Sequence, residues 1–131
     1  MIGHLKGRII SKNPPEIIFE VEGVGYEVLC PMSTFYELDN LSEDILLFTH
    51  LSIKEDAHTL FGFINKDEKN VFRELIRVNG VGPKVALAIL SNLSVHSLVE
   101  CISTEDADLL AKTPGIGKKT ALKLIVELQD R

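Results

Sequence analysis

The sequence predicts an α+β chain of two domains: a five-stranded β-barrel over residues 1–64 and an all-α domain over residues 65–131. Three observations carry that expectation. Apolar residues alternate with period two through the first half. They recur at helical spacing through the second half. A polar stretch, Asn65-Lys66-Asp67, interrupts both patterns.

The elements follow in order. An opening strand is expected near Ile2 to Ser11, ended by Asn13-Pro14-Pro15. Ile17, Phe19 and Val21 alternate with Ile18, Glu20 and Glu22, and Gly23 turns the chain. Val24, Tyr26, Val28 and Cys30 alternate with Gly25, Glu27 and Leu29, up to Pro31. A further turn is expected at Asp39-Asn40. Ile45 to Ile53 is a longer apolar run, suited to a strand buried on both sides, and His58 to Ile64 makes the fifth strand. So small a sheet removes its edges by closing. In the second half, Val71, Phe72, Leu75 and Ile76 mark one helical face. Val95, Leu98, Val99 and Ile102 mark another, and Ala121, Leu124, Ile125 and Leu128 a third. Four or five short helices are expected, with Ser94 and Thr104 as N-caps. Each half is small for a lone core, which favours oligomerisation through the β half.

Composition excludes several classes. Hydrophobic residues are 45% and charged residues 25% of 131, which excludes a disordered chain. No apolar run reaches membrane-span length, and the first residues carry no secretory signal. Cys30 and Cys101 are far apart and suggest a reduced, cytoplasmic setting. His4, His50, His58 and His96 show no metal-ligand spacing, so neither metal nor cofactor is expected. The acids from Glu16 to Glu43 are expected to solvate the barrel exterior, with no catalytic pair among them. The net charge of −5 argues by itself against a nucleic-acid partner. The halves differ, however: residues 1–64 carry 4 Lys/Arg against 10 Asp/Glu, and residues 65–131 carry 10 against 9.

The chemistry lies in an internal duplication. Residues 79–87 read Asn-Gly-Val-Gly-Pro-Lys-Val-Ala-Leu and residues 114–122 read Pro-Gly-Ile-Gly-Lys-Lys-Thr-Ala-Leu. At one offset of 35, Gly80 pairs with Gly115, Val81 with Ile116, Gly82 with Gly117, Lys84 with Lys119, and Leu87 with Leu122. Each copy follows a helical segment, Arg73 to Val78 or Ala107 to Lys112, and opens another helix. Two glycines let the chain turn sharply and let a bulky anion approach the amides. The first amides of a helix lack intrahelical partners and carry partial positive charge, which suits a phosphate oxygen. Lys84 and Lys119 add full charge, and Pro83 suits a first helical turn. Such contacts position a duplex without reading its sequence. One Gly-x-Gly is commonly just a tight turn; two in register, each with its lysine, point to phosphate. A P-loop is missing, because Lys112 stands where its first glycine would be.

These segments resemble helix-hairpin-helix motifs, a family of sequence-independent DNA-binding turns, over residues 71–90 and 106–128. The whole chain is similar to the RuvA family of Holliday-junction-binding proteins. The likeness rests on Met-Ile-Gly-His-Leu-Lys-Gly-Arg-Ile at the start, Val24-Gly25-Tyr26-Glu27-Val28, Glu55-Asp56-Ala57-His58 with Leu60-Phe61-Gly62-Phe63, and Leu124-Ile125-Val126-Glu127-Leu128. The resemblance implies an oligonucleotide/oligosaccharide-binding (OB) type barrel and two helix-hairpin-helix motifs. It implies a non-catalytic subunit of the branch migration complex in recombination and repair. The implied partners are four-way junction DNA, three further copies in a tetramer formed through the barrel, a second tetramer making an octamer, the hexameric ATPase RuvB and the resolvase RuvC.

The resemblance also implies the site. Glu55 and Asp56 become an acidic pin at the tetramer centre, where a bare Lys54-Glu55-Asp56 would be taken for a solvated turn. DNA contacts fall to Gly80, Val81, Gly82, Lys84, Gly115, Ile116, Gly117, Lys118, Lys119, Lys123 and Lys54, the last where relatives often carry arginine. Relatives usually continue with a linker and a small ATPase-contacting domain, so RuvB stimulation is expected to be weak in a chain stopping at Arg131. One rival is a helix-hairpin-helix DNA glycosylase with Lys119 as Schiff-base nucleophile. Only 12 residues follow Lys119, whereas those enzymes need an aspartate well downstream, and the last acid is Asp130. Another rival is a nucleic-acid scaffold without junction preference.

Overall fold

The computed structural model describes residues 1–38 and 44–129. The turn expected at Asp39-Asn40, together with Glu43, Asp130 and Arg131, lies outside the described residues. The strands are β1 (His4–Asn13), β2 (Glu16–Val21), β3 (Val24–Leu29), β4 (Ile45–Ile53) and β5 (His58–Phe63). The helices are α1 (Met32–Leu38), α2 (Lys66–Ile76), α3 (Pro83–Asn92), α4 (Val95–Ser103), α5 (Ala107–Leu110) and α6 (Lys118–Gln129). Two compact units result, residues 1–69 and 70–131.

The strands close a barrel in the order β1-β2-β3-β5-β4. Closure depends on β1 serving two partners. Its first residues, His4 to Gly7, pair with β4, and Arg8 to Asn13 pair with β2, with a register shift between Ile9 and Ser11. Gly7 sits at the changeover, where a Cβ would overlap the Glu20 carbonyl oxygen. The β3–β5 seam is the one parallel pairing among the described strands (Val28↔Leu60, Leu29↔Phe61). Ile17, Phe19, Val28 and Leu47 fill the interior without exposure.

The structure corrects the expectation of two-sided burial for 45–53. Ile45, Leu47 and Thr49 are buried, whereas Leu46 is 41% and Ile53 54% exposed. A small barrel has one inside, so only alternate residues of β4 reach it. Helix α1 was not foreseen beyond the Pro31 turn. It buries Thr34, Phe35 and Leu38, and Phe35 and Leu38 join the barrel core. Their i, i+3 spacing after Pro31 is the signal that could have found it.

Polar groups fasten the first turn of α2 within the barrel unit. Ser33 Oγ donates to Glu68 Oε2 at 2.7 Å, and Lys69 Nζ donates to the Gly3 carbonyl at 3.1 Å. Asn65 Oδ1 accepts from the Glu68 amide at 2.8 Å, the bond of an N-cap residue. Burial raises the Glu68 carboxyl, the Ser33 bond pulls it back, and Glu37 adds to the rise. Burial also pushes the Cys30 thiol up to about 12, so it behaves as a small core residue rather than a nucleophile.

In the second unit, α2 starts at Lys66 and ends at Ile76, earlier than the expected Arg73–Val78 segment, and α5 ends at Leu110 instead of Lys112. Ser94 caps α4 as expected, accepting from the Ser97 amide at 3.1 Å. Thr104 is a correction: it ends α4 rather than starting α5. Its amide and its Oγ1 both donate to the Glu100 carbonyl, each at 2.9 Å. Asp106 takes the N-cap role, with Oδ1 accepting from the Leu109 amide at 3.1 Å. Val99 is a second correction, 57% exposed. The buried stripe of α4 is Leu98, Cys101 and Ile102, turned away from Val99 around the helix.

Candidate nucleic-acid interface

The first corner joins α2 to α3. The Val78 amide donates to the Leu75 carbonyl at 3.1 Å, and the Val81 amide to the Val78 carbonyl at 3.0 Å. Between them the chain reverses at Gly80, whose φ of +94° strains any residue with a Cβ. Val81 then drops its side chain into the core, 4% exposed. Gly82 is the N-cap of α3 in extended conformation, and the first intrahelical bond runs from the Ala86 amide to the Gly82 carbonyl at 3.0 Å.

The second corner repeats this bond for bond at the offset of 35. The Thr113 amide donates to the Leu110 carbonyl at 3.0 Å, and the Ile116 amide to the Thr113 carbonyl at 3.1 Å. Gly115 has φ +91°, Ile116 is 6% exposed, and the Ala121 amide donates to the Gly117 carbonyl at 3.0 Å. Ala86 and Ala121 are both fully buried, as their smallness at a close approach requires. The duplication thus extends from sequence to hydrogen bonding. The two corners also adjoin, since a Cβ on Gly115 would lie 3.6 Å from Val85 Cγ2.

This geometry sorts the expected contact residues. Val81 and Ile116 serve as plugs: their side chains are core, and their amides are spent inside the turns. The amides that precede the first intrahelical bond belong to Gly82, Lys84 and Val85 in one copy and to Gly117, Lys118, Lys119 and Thr120 in the other. A Cβ on Gly82 or Gly117 would meet open space, so the approach to these amides is clear. Gly80, Gly115, Lys84, Lys118, Lys119 and Lys123 are all exposed. Leu122 departs from its partner Leu87: it is 50% exposed where Leu87 is 6%.

Sequence reasoning missed Asn79, Val85 and Thr120. Asn79 lines a cleft of about 560 Å³ with Gly80 and Gly82. Its counterpart, Pro114, hid it from a search for matched polar residues. Val85 and Thr120 contribute amides alone, and side-chain patterns do not register those.

Lys54, Glu55 and Asp56 belong to the barrel unit and form the β4–β5 tip. Reciprocal Lys54 and Ala57 backbone bonds of 2.8 and 3.3 Å close the turn, leaving Glu55 and Asp56 exposed at its apex. No single helix among the described residues is long and apolar enough to cross a membrane.

Residues 1–62 match the RuvA N terminal domain, and residues 72–130 match the SAM-like helix-hairpin-helix tandem. Among curated proteins, the Holliday junction branch migration complex subunit RuvA of Coxiella burnetii (strain CbuG_Q212) is 54% identical over 131 residues, 100% of this chain and 66% of that protein. The protein of the same name from Pasteurella multocida (strain Pm70) is 55% identical, covering 100% of this chain and 64% of its own length. That from Pseudomonas aeruginosa (strain LESB58) is 55% identical, covering 100% and 65%. The chain therefore spans slightly under two thirds of the length of these relatives. None of the matches supports a glycosylase. With the closed barrel, the duplicated glycine corners and identity running through every residue of both units, the chain belongs to the RuvA family.

Proposed function

We propose that this chain binds four-way DNA junctions irrespective of sequence, as the non-catalytic subunit of a branch migration complex in recombination and repair. The observation that carries the reading is the bond-for-bond repetition of the two corners. Each offers unpaired amides at a helix start together with lysines, a combination that suits a phosphate and ignores the bases. The relatives' printed name, which joins Holliday junction and branch migration, supports the same conclusion. The assembly is a homotetramer built through the barrel, and two tetramers can enclose a junction. RuvB supplies the ATP-driven motion and RuvC the resolution. The work is on chromosomal DNA in the cytoplasm. Competition between a four-way junction and linear duplex of equal length tests this reading. The junction should win clearly, and equal competition would reduce the chain to a general scaffold.

If Lys84, Lys118, Lys119 and Lys123 neutralise phosphates, binding weakens steeply with salt. The log-log slope falls by about 0.9 per phosphate contacted. A binding titration across salt concentrations measures this, and a flat response would remove the electrostatic part.

Glu55 and Asp56 act as a pin in this reading. Four copies would gather their carboxylates where strands exchange. Like charges at about 5 Å repel by about 1 kcal/mol in water and about 3 kcal/mol at an effective dielectric near 20. Continuous duplex is thereby kept from settling across the centre. Changing both acids to Asn should tighten linear-duplex binding in a gel-shift titration, and unchanged affinity would take this role from the tip.

A further inference from the structure

The offset of 35 matches a further pair of residues that the two corners alone do not account for. Arg77 falls on Lys112. Each stands three residues before the first glycine of its corner, and each is exposed. Each sits in the same backbone arrangement: the Arg77 amide donates to the Glu74 carbonyl at 3.3 Å, and the Lys112 amide to the Leu109 carbonyl at 3.3 Å. Arg77 also lines the cleft that holds Asn79, Gly80 and Gly82, so its guanidinium borders the mouth of the first corner.

We infer that Arg77 and Lys112 are a second duplicated phosphate contact, one per corner, each taking a backbone phosphate beside the one held by the helix amides; this rests on the junction-binding reading above. The chemistry differs between the copies. Arg77 presents a planar fork able to hold two phosphate oxygens, whereas Lys112 presents a point charge. The restraint differs too. Glu74 Oε1 lies 3.5 Å from an Arg77 terminal nitrogen, and the position matching Glu74 in the second copy is Leu109, which carries no charge. Glu74 thus holds Arg77 back in the first copy, and nothing of that kind stands at the corresponding place in the second. The competing account is local: a cation just past a helix end is favoured by the helix dipole whether or not DNA is bound.

The test is the salt dependence of four-way-junction binding by the 131-residue chain, measured with melting temperature for each variant. Arg77→Gln and Lys112→Gln should each lower the magnitude of the log-log slope by about 0.9, and the double variant should lower it by the sum. Arg77→Lys should keep the slope. Glu74→Gln should tighten binding severalfold in the wild-type background and do nothing in the Arg77→Gln background. Unchanged slopes, or a lowered melting temperature with unchanged binding, would overturn the inference and leave both residues as helix-end cations. Lys119→Gln separates the two failures. If it lowers the slope while Arg77→Gln and Lys112→Gln do not, this inference fails alone. If wild type itself shows neither junction preference nor salt dependence, the junction-binding reading has failed.

Discussion

Replacing Gly82 and Gly117 together with valine is expected to abolish junction binding while the helical unit stays folded. Gly82 has φ −86° and ψ 174°, an extended conformation open to any residue. At both positions an added Cβ meets nothing within 4 Å, so valine disturbs no packing. It does occupy the space through which a phosphate reaches the amides of Lys84 and Val85, or of Lys118 to Thr120. Hydrogen bonds to a charged group contribute about 1.5–3 kcal/mol each. Losing one at each corner therefore weakens binding roughly 100-fold or more. A gel-shift titration with circular dichroism on the same samples checks both halves of the expectation. Gly80 and Gly115 are poorer targets, because their positive φ makes any substitution strain the backbone by about 1–2 kcal/mol and confounds folding with binding.

The largest effect on stability is expected from Gly7→Ala. At Gly7, β1 leaves β4 and joins β2. A Cβ there overlaps the Glu20 carbonyl oxygen and approaches Val21 Cγ2 at 3.1 Å. The obstacle is backbone, which cannot rotate aside as a side chain can. Relief requires β1 and β2 to separate where the barrel closes. The cost is about 3 kcal/mol or more, at the severe end for an overpacked site. For a unit of this size that corresponds to a melting temperature lower by about 10 °C or more. Thermal denaturation followed by circular dichroism reads it directly, and a fall of only a degree or two would show that the closure point is more pliable than its geometry implies.

How much of this was legible in the sequence follows from which interactions are local. The five strands were readable because period-two alternation, as in Ile17, Phe19 and Val21, is imposed by the pleat itself. The parallel β3–β5 seam was not, since strand pairing depends on residues far apart in the chain. Two-sided burial of 45–53 was a misreading of apolar content: Leu46 and Ile53 are apolar yet face outward, and composition does not record facing. The corners were the most legible feature. A repeat in register is its own control, because a chance Gly-x-Gly would not bring Lys84 and Lys119, or Ala86 and Ala121, to the same offset. What the repeat could not reveal is which amides are spent. Val81 and Ile116 looked like contact residues, and only the turn bonds to Val78 and Thr113 show otherwise. Thr104 failed for a related reason: threonine suits either end of a helix, and its hydroxyl reaches back to Glu100 here.

An amide-resolved magnetic resonance titration of the isotope-labelled chain with a short DNA duplex at low salt examines the corners most directly. Resonances of Gly82, Lys84, Val85, Gly117, Lys118, Lys119 and Thr120 should move together and return when salt is raised, while those of Val81 and Ile116, already bonded within their turns, should move less. Perturbations confined to the barrel strands, with the corner amides unmoved, would contradict the account.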